Sequence, residues 1–338
     1  MGETYTYAYN PAFNNWTLLA PMPTPRNNFA EAAYGGKIYV IGGWTGGSES
    51  ACGINEVYDP ATNFWTTAAP MPTARGEMNA AVAYGRIYVM GGRTAAAYST
   101  VNVTEAYDPT NDSWSTAAQM PYPVVAYASA VVDDKIYVIG GQDEWYGYHG
   151  MIGLGTPAPA PESYPDINLR YTQIYNPAND SWSFGAPVPG LVFGSAAGTT
   201  TGVYAPTRIY VLGGVGGSFE ASNQNLVYDP AENSWGSAAA LPNATSGEVV
   251  AVVNDVLYVI GGGTGQVYLG NNWQFTPIGY APPVTQTVPP SQLSTAEDEQ
   301  GKETAPKSVT LEIAATGLVG ISIAVVAAIS LSRQKKKN

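Results

Sequence analysis

Two short motifs alternate five times along the chain, and this repetition limits the possible folds more than any other feature. The first motif, Ile/Leu-Tyr-Val-x-Gly-Gly, has its second glycine at Gly43, Gly92, Gly141, Gly214 and Gly262, which lie 49, 49, 73 and 48 residues apart. The second motif, Tyr-Asp/Asn-Pro with a tryptophan seven residues after the tyrosine, begins at Tyr9, Tyr58, Tyr107, Tyr175 and Tyr228. A period of about 50 residues indicates a supersecondary unit that is copied along the chain.

Each unit predicts four β-strands. An apolar run, such as residues 128–132, is followed by a tight turn, such as Gly35-Gly36 or Asp133-Asp134, whose residues tolerate the positive φ of a two-residue hairpin. The Ile-Tyr-Val run is β-branched and apolar, which predicts a strand buried on both faces and ended by the double glycine. A third strand ends at Tyr-Asp-Pro, and the tryptophan begins a fourth.

A four-stranded sheet of this size cannot bury both of its faces alone, but several sheets packed around an axis can. The units, with their Gly-Gly and Tyr-Asp-Pro…Trp landmarks, resemble the kelch repeats of β-propellers from residue 5 to about residue 277. The resemblance implies an all-β, kelch-type β-propeller of four-stranded blades. The Gly-His and Trp-Asp landmarks of WD40 repeats do not punctuate these units.

The number of blades stays open at this stage. The last unit ends at Pro277 without a fourth strand, whereas the chain begins directly in a third strand at Tyr5 and continues into a fourth at Trp16. Propellers of this family usually complete one blade from both chain ends. We favour six blades with the first and last incomplete, in a fragment that lacks its true start. In the alternative, the strand at Trp16 completes the last of five blades.

The C-terminal region predicts a membrane anchor behind a propeller of residues 1–277. Residues 278–310 are rich in Pro, Ser, Thr and Glu and predict an extended stalk. Residues 311–332 contain a 19-residue uncharged run that is long enough for a transmembrane helix. Residues 333–338 are basic and predict a cytoplasmic tail by the positive-inside rule.

This orientation predicts a single-pass plasma-membrane protein with its propeller outside the cytoplasm. Export needs an N-terminal signal, and residues 1–4 contain none, which fits a fragment that has lost its signal. A cytosolic propeller held by a tail anchor is the competing interpretation.

Composition limits the chemistry. The formal net charge of −12, with only 12% charged residues, argues against nucleic acid as a partner. Cys52 is the only cysteine and His149 the only histidine, which argues against a multi-cysteine metal site and against the ligand set of copper-radical oxidases on this fold. We therefore expect no metal and no cofactor, and an enzyme is disfavoured without being excluded.

Candidate binding residues lie on one face of the predicted propeller. The loops between the second and third strands share this face with the segments that join consecutive blades, and we call it the loop-rich face. It holds a 19-residue insertion after Gly141, whose aromatic rings could stack on a sugar or a peptide and whose carboxylates could accept hydrogen bonds. The ligand-binding candidates are Trp44, Arg93, Asp143, Glu144, Trp145, Tyr146, Tyr148 and His149. Arg26 and Arg75, at matching positions, are expected to hold blade-to-blade hydrogen bonds.

The predicted function is binding, adhesion or scaffolding at the cell surface, with a protein or carbohydrate ligand on the loop-rich face. The alternative is a carbohydrate-active enzyme of the mutarotase or epimerase kind that uses carboxylates in the central channel. Arg and Glu side chains converging at the channel mouth would favour the enzyme, and a flat aromatic surface would favour binding.

Overall fold

The structure is a computed structural model. It describes residues 4–11, 13–46, 50–96, 99–142, 170–216, 220–264 and 267–282, together with the backbone of residues 322–325. The regular elements within these ranges are β-strands, as the repeats predicted.

Two strands, β1 (Thr4–Asn10) and β2 (Asn15–Leu19), form an antiparallel hairpin at the start of the chain. Blade one follows with β3 (Ala30–Tyr34), β4 (Lys37–Ile41), the short hairpin β5 (Trp44–Thr45) and β6 (Ser50–Ala51), β7 (Asn55–Asp59) and β8 (Phe64–Ala68). Blade two consists of β9 (Asn79–Ala83), β10 (Arg86–Met90), β11 (Thr104–Asp108) and β12 (Ser113–Ala117). Blade three consists of β13 (Ala128–Val132), β14 (Lys135–Ile139), β15 (Thr172–Asn176) and β16 (Ser181–Phe184).

Blade four consists of β17 (Ala196–Thr199), β18 (Ile209–Leu212), β19 (Asn225–Asp229) and β20 (Ser234–Ser237). Blade five has three strands, β21 (Ser246–Val253), β22 (Val256–Gly263) and β23 (Asn272–Phe275). In every blade the strands pair antiparallel in chain order, apart from the separate β5–β6 hairpin. The described residues therefore form five blades, which is the alternative count, and not the favoured six.

The blades pack around an axis. The innermost strands contact one another in the sequence β3, β9, β13, β17 and β21. The β1–β2 hairpin lies between blade five and blade one, because Tyr9 packs against Val249, Val253 and Ile260 on one side, and Leu19 and Ala20 pack against blade one on the other. The strand at Trp16 pairs with β1 and not with β23, so it does not complete blade five as the five-blade interpretation expected.

The predicted stalk, membrane segment and basic tail fall almost wholly outside the described residues. Within the predicted membrane segment, Ser322–Val325 is described as strand β24, which pairs parallel with β1. The part of the chain that the structure describes has no helix with the length and hydropathy needed to cross a membrane.

The double glycine that ends the second strand in blades one to four allows close contact with the next blade. In blade five it lies inside β22, and a Cβ atom at Gly261 would meet nothing within 4 Å. Gly42 has φ +67°, and a Cβ atom there would lie 2.7 Å from the carbonyl oxygen of Arg75. Only glycine combines this left-handed conformation with so close an approach. The prediction that the double glycine ends the strand at a tight approach is confirmed in blades one to four and is wrong in blade five.

One repeated set of hydrogen bonds joins consecutive blades, and we call it the blade clamp. In blade two, Tyr107 donates through its hydroxyl to Asp112 over 2.6 Å, and the same carboxylate oxygen accepts the backbone N–H of Ala69 from blade one over 2.7 Å. The indole Nε1 of Trp114 donates to the carbonyl oxygen of Ala69 over 2.8 Å. Both backbone groups of one alanine are thus held by the next blade.

The blade clamp recurs at three further junctions. Its acceptor residues, five positions after the tyrosine and all in the left-handed conformation, are Asn63, Asp112, Asp180 and Asn233. The held residues are Ala20, Ala69, Ala118 and Ala186. This explains the constant spacing from tyrosine to tryptophan. The tyrosine positions the Asn or Asp, and the Asn or Asp and the tryptophan both bind the backbone of one alanine in the neighbouring segment.

Two blades also contain a buried ion pair. Arg75 pairs with Glu105 and donates to the carbonyl oxygens of Gly91 (2.8 Å) and Val89 (3.0 Å). Arg26 pairs with Glu56 at 2.9 Å in blade one. The side chains of these arginines tie the incoming segment to the blade that it enters. The carbonyl oxygen of Arg75 also accepts the backbone N–H of Gly43 from blade one over 2.9 Å, so Arg75 links two blades as expected.

Candidate functional site

The first strand of each blade is preceded or begun by one residue in the left-handed conformation. These residues, with φ of 50°, 61°, 50°, 60° and 68°, are Asn28, Glu77, Ala126, Gly194 and Gly247. From Glu77 onwards, the backbone N–H of each of these residues donates to the carbonyl oxygen of the one before, over 2.8, 3.1, 2.8 and 2.8 Å. They form an arc of peptide groups around the axis on the loop-rich face.

A cavity of about 230 Å³ lies inside this arc, and we call it the channel cavity. All five blades contribute to its lining. The polar side chains that matter for its chemistry belong to Glu31, Glu77, Arg93, Gln142 and Glu248. Apolar walls come from residues such as Phe29, Met78 and Val250. The site thus combines a few polar groups with apolar surface, as small-ligand sites do.

Arg93 and Trp44, two of the predicted binding residues, meet at Glu77. Arg93 Nη1 lies 3.0 Å from Glu77 Oε2, and both side chains are almost inaccessible to solvent. Burial raises the pKa of Glu77, while Arg93 and the indole N–H of Trp44 oppose that rise. Each of Trp44 and Arg93 follows a double glycine, and each forms an isolated bridge, Trp44 to Asn27 and Arg93 to Gly76. Arg93 lines the channel cavity, whereas Trp44 is buried beside it.

Glu31 is the second acidic group of the channel cavity. It is the second residue of β3, at the position where the first strands of blades two, three and four carry Ala80, Ser129 and Ala197. Its Oε2 is buried and has no hydrogen-bond partner among the described residues. Burial alone raises the pKa of Glu31 to about 8.

Glu248 is the third. It occupies the position that Met78 and Tyr127 fill in blades two and three, against the double glycine of the preceding blade. Its Oε1 accepts the backbone N–H of Ala196 over 3.4 Å, and its Oε2 is buried. Burial raises the pKa of Glu248 to about 8, against the smaller lowering effect of backbone and Thr245 hydrogen bonds.

The predicted site is only partly within the described structure. Trp44 and Arg93 are brought together, but the other predicted binding residues lie outside the described residues: Asp143, Glu144, Trp145, Tyr146, Tyr148 and His149. Three acidic residues of the cavity were not among the predicted site residues, namely Glu31, Glu77 and Glu248. A signal was present, because each is a charged residue at the start of, or inside, a first strand that is otherwise apolar or small. Within the described ranges, no group of three His, Cys, Asp or Glu side chains is placed to hold a metal ion.

A comparison with protein families identifies the same repeat. Residues 4–141 match the family model described as the KLHDC2/KLHL20/DRC7 Kelch-repeats domain. Kelch-like protein 21 of Danio rerio is 35% identical over 72 residues, which are 21% of this chain and 11% of the relative. Kelch domain-containing protein of Sulfurisphaera tokodaii is 30% identical over 98 residues, 29% of this chain and 13% of the relative.

A third relative, Influenza virus NS1A-binding protein of Homo sapiens, is 48% identical over 46 residues, 13% of this chain and 7% of the relative. The chain spans no more than 16% of the length of any of these relatives or of Kelch-like protein 25 of Xenopus tropicalis. Among solved structures, the one titled "Structure of YjhT" superposes with a TM-score of 0.58 over 72% of this chain and 75% of that one, at 20% identity.

The five radially packed sheets and the blade clamps define the class of protein, a β-propeller. The repeat motifs and the family match identify the propeller more closely. Both identify its repeats as kelch repeats, and the family match covers residues 4–141.

Proposed function

We propose that this kelch propeller is a protein-binding or scaffold module whose partner lies on the loop-rich face. The observation that carries the proposal is the channel cavity, since side chains from all five blades meet there on one face of a ring. A partner seated on this face contacts every blade at once, and the blade clamps hold these contact points in fixed positions. The name of the human relative, which states that it binds a viral protein, supports a protein as the partner class.

The alternative of a carbohydrate-active enzyme has one observation in its favour. Glu31, Glu77, Glu248 and Arg93 do converge at the channel. Arg93, however, is already paired with Glu77 at 3.0 Å and is buried. An acidic sugar would have to break that ion pair before it could use the guanidinium, and leaving a buried charge unpaired is costly. We therefore place binding ahead of catalysis, and a carbohydrate ligand on the aromatic insertion stays a secondary proposal.

Photo-cross-linking tests the choice of face. A photoreactive residue at Ala95, in the loop between the second and third strands of blade two, is compared with one at Ala231, in the turn between the last two strands of blade four. Both alanines are exposed, and they lie at opposite ends of the blades. We expect a cross-linked protein from Ala95 and none from Ala231 when the chain is expressed in its own cells. Equal cross-linking from both positions, or cross-links from Ala231 alone, would contradict the proposal.

We also propose that the propeller is displayed at the cell surface by a single-pass anchor in residues 311–332. The support is the uncharged run of that segment, followed directly by basic residues. Protease added to intact cells is expected to remove the propeller. Protection of the propeller until the cells are permeabilised would favour the cytosolic, tail-anchored form instead.

A further inference from the structure

We propose that the channel cavity binds a primary ammonium group, supplied by a lysine side chain of the protein partner. The source of the ammonium rests on the proposed function, whereas the site itself rests on the chemistry of the cavity. Three carboxyl groups line the cavity, from Glu31, Glu77 and Glu248, and Arg93 is the one basic side chain among its described lining residues.

The first feature that favours an ammonium ligand is the charge of the cavity. Arg93 is committed to Glu77, so the cavity has no described cation left for the other two carboxyl groups. The remaining buried arginines, Arg26 and Arg75, are paired with Glu56 and Glu105 and do not line the cavity. A buried carboxylate without a partner is costly, and it gains most from a cation that brings its own hydrogen-bond donors.

The second feature is a carboxylate oxygen without a hydrogen-bond donor. The Oε2 atom of Glu31 is buried and has no hydrogen-bond partner among the described residues, yet Glu31 lines the cavity. Buried polar atoms normally have partners, and a donor bound in the cavity would provide one for this oxygen. An ammonium group has three donors and no acceptor, which matches an environment of carboxylate oxygens.

The third feature is the size and lining of the cavity. A cavity of about 230 Å³ with both apolar walls and acidic groups suits a chain of methylenes that ends in a charge. The stem of a lysine packs along apolar surface while its head reaches polar partners. A bare metal ion fits less well, since the described residues hold no cluster of three suitable ligands.

The fourth feature is that binding of a cation is coupled to the release of protons from the carboxyl groups. The carboxyl and guanidinium groups that line the cavity are those of Glu31, Glu77, Glu248 and Arg93, and the other described lining residues carry no charge at pH 7. Because the pKa of Glu31 and that of Glu248 are both raised to about 8, a cation must displace protons when it binds below that pH. Affinity is then expected to rise with pH, by up to about tenfold per pH unit for each carboxyl group that is deprotonated on binding.

The test uses n-butylammonium, a lysine side chain without its backbone, titrated into the full chain and followed by NMR. The neutral control is 1-butanol, which has the same stem. We expect saturable binding of n-butylammonium but not of 1-butanol, and tighter binding as the pH rises towards 8. Glu31→Gln is expected to weaken binding by at least about tenfold, as the loss of a charge-assisted hydrogen bond does. Glu232→Gln, the same change at an exposed turn of blade four, is the matched control and should bind like the wild type.

Three results would overturn the inference: no saturable binding of n-butylammonium, equal binding of 1-butanol, or unchanged affinity in Glu31→Gln. Should Glu31→Gln fail to fold, Glu248→Gln provides the same comparison at the second unpaired carboxyl group. The probe contains no protein, so a negative result leaves the cross-linking experiment on the loop-rich face unaffected. The two proposals can therefore fail separately.

Discussion

Asp112 in blade two accepts a 2.7 Å hydrogen bond from the backbone N–H of Ala69 in blade one. The same oxygen also accepts the hydroxyl of Tyr107 from its own blade. One side chain therefore fixes the fold of a turn and the position of a neighbouring sheet at once. This double use explains why only Asn or Asp stands at the equivalent position of each blade clamp, since both offer an acceptor oxygen and both tolerate the left-handed backbone.

Asp112→Ala is expected to lower the free energy of unfolding by about 1–3 kcal/mol. The change removes the acceptor of two donors and places alanine at φ 49°. Asp112→Asn is the matched control, because Asn63 and Asn233 perform the same role in blades one and four, and it should cost less than about 1 kcal/mol. Urea unfolding measures both variants, and equal losses would show that the acceptor is not what matters.

The buried pair of Arg75 and Glu105 allows a double-mutant cycle. Arg75→Val alone should destabilise by about 3–5 kcal/mol, because Glu105 is left as an unpaired buried charge. The double variant with Glu105→Gln should recover a large part of that loss. Blade three already uses this combination, with Val124 and with Gln173, which bonds to the backbone of Tyr122. Additive losses in thermal unfolding would argue against a pairwise interaction.

Gly42→Ala should destabilise more than Gly35→Ala, by an extra 1 kcal/mol or more, roughly the cost of overpacking. Both glycines are left-handed, with φ +67° and +60°, so both substitutions carry similar backbone strain. Only at Gly42 would the new Cβ meet another group, the carbonyl oxygen of Arg75, whereas nothing lies within 4 Å at Gly35. Denaturant unfolding of the two variants separates the clash from the strain, and equal losses would leave strain as the sole cost.

Glu31→Gln should stabilise the chain at neutral and alkaline pH while it weakens the proposed ammonium binding. The pKa of Glu31 is raised from 4.5 to about 8, so the folded state holds a proton that the unfolded state releases. The stability of the wild type must then fall between about pH 4.5 and pH 8 and level off above. At pH 7 the variant should gain on the order of 3 kcal/mol, since each pKa unit corresponds to about 1.4 kcal/mol. Thermal unfolding across this pH range, with Glu232→Gln as control, measures the gain, and a constant difference at all pH values would contradict the assignment.

The sequence was sufficient for the class of fold and for the position of the strands that form the blades, but not for β5, β6 or β24. The spacing of glycines and of Tyr-Asp-Pro…Trp predicts four strands for each unit, and the predicted hairpin turns at Gly35-Gly36 and Asp133-Asp134 have the left-handed φ values that such turns need. This success has a physical cause. Turns and strand periods are local, so the residues that specify them are neighbours in the chain.

The relations between blades were not predictable in the same way. The number of blades depends on how the two ends of the repeat array meet, and no local pattern encodes that. Arg75 does link two blades, through its carbonyl oxygen to Gly43, but its buried ion pair with Glu105 was not predicted. The channel carboxyl groups come from blades one, two and five, and only the radial arrangement places Glu31, Glu77 and Glu248 on one cavity.

The blade clamp has a consequence for how such a chain changes in length over evolution. The tyrosine, the Asn or Asp, the tryptophan and the alanine that the next sheet grips all lie within twelve consecutive residues, as in Tyr58 to Ala69. Each copy thus contains the side chains that bind the preceding copy and the alanine that the following copy binds. Duplicating or deleting one whole repeat leaves complementary residues at every remaining junction. The propeller can therefore gain or lose a blade without a new interface between blades.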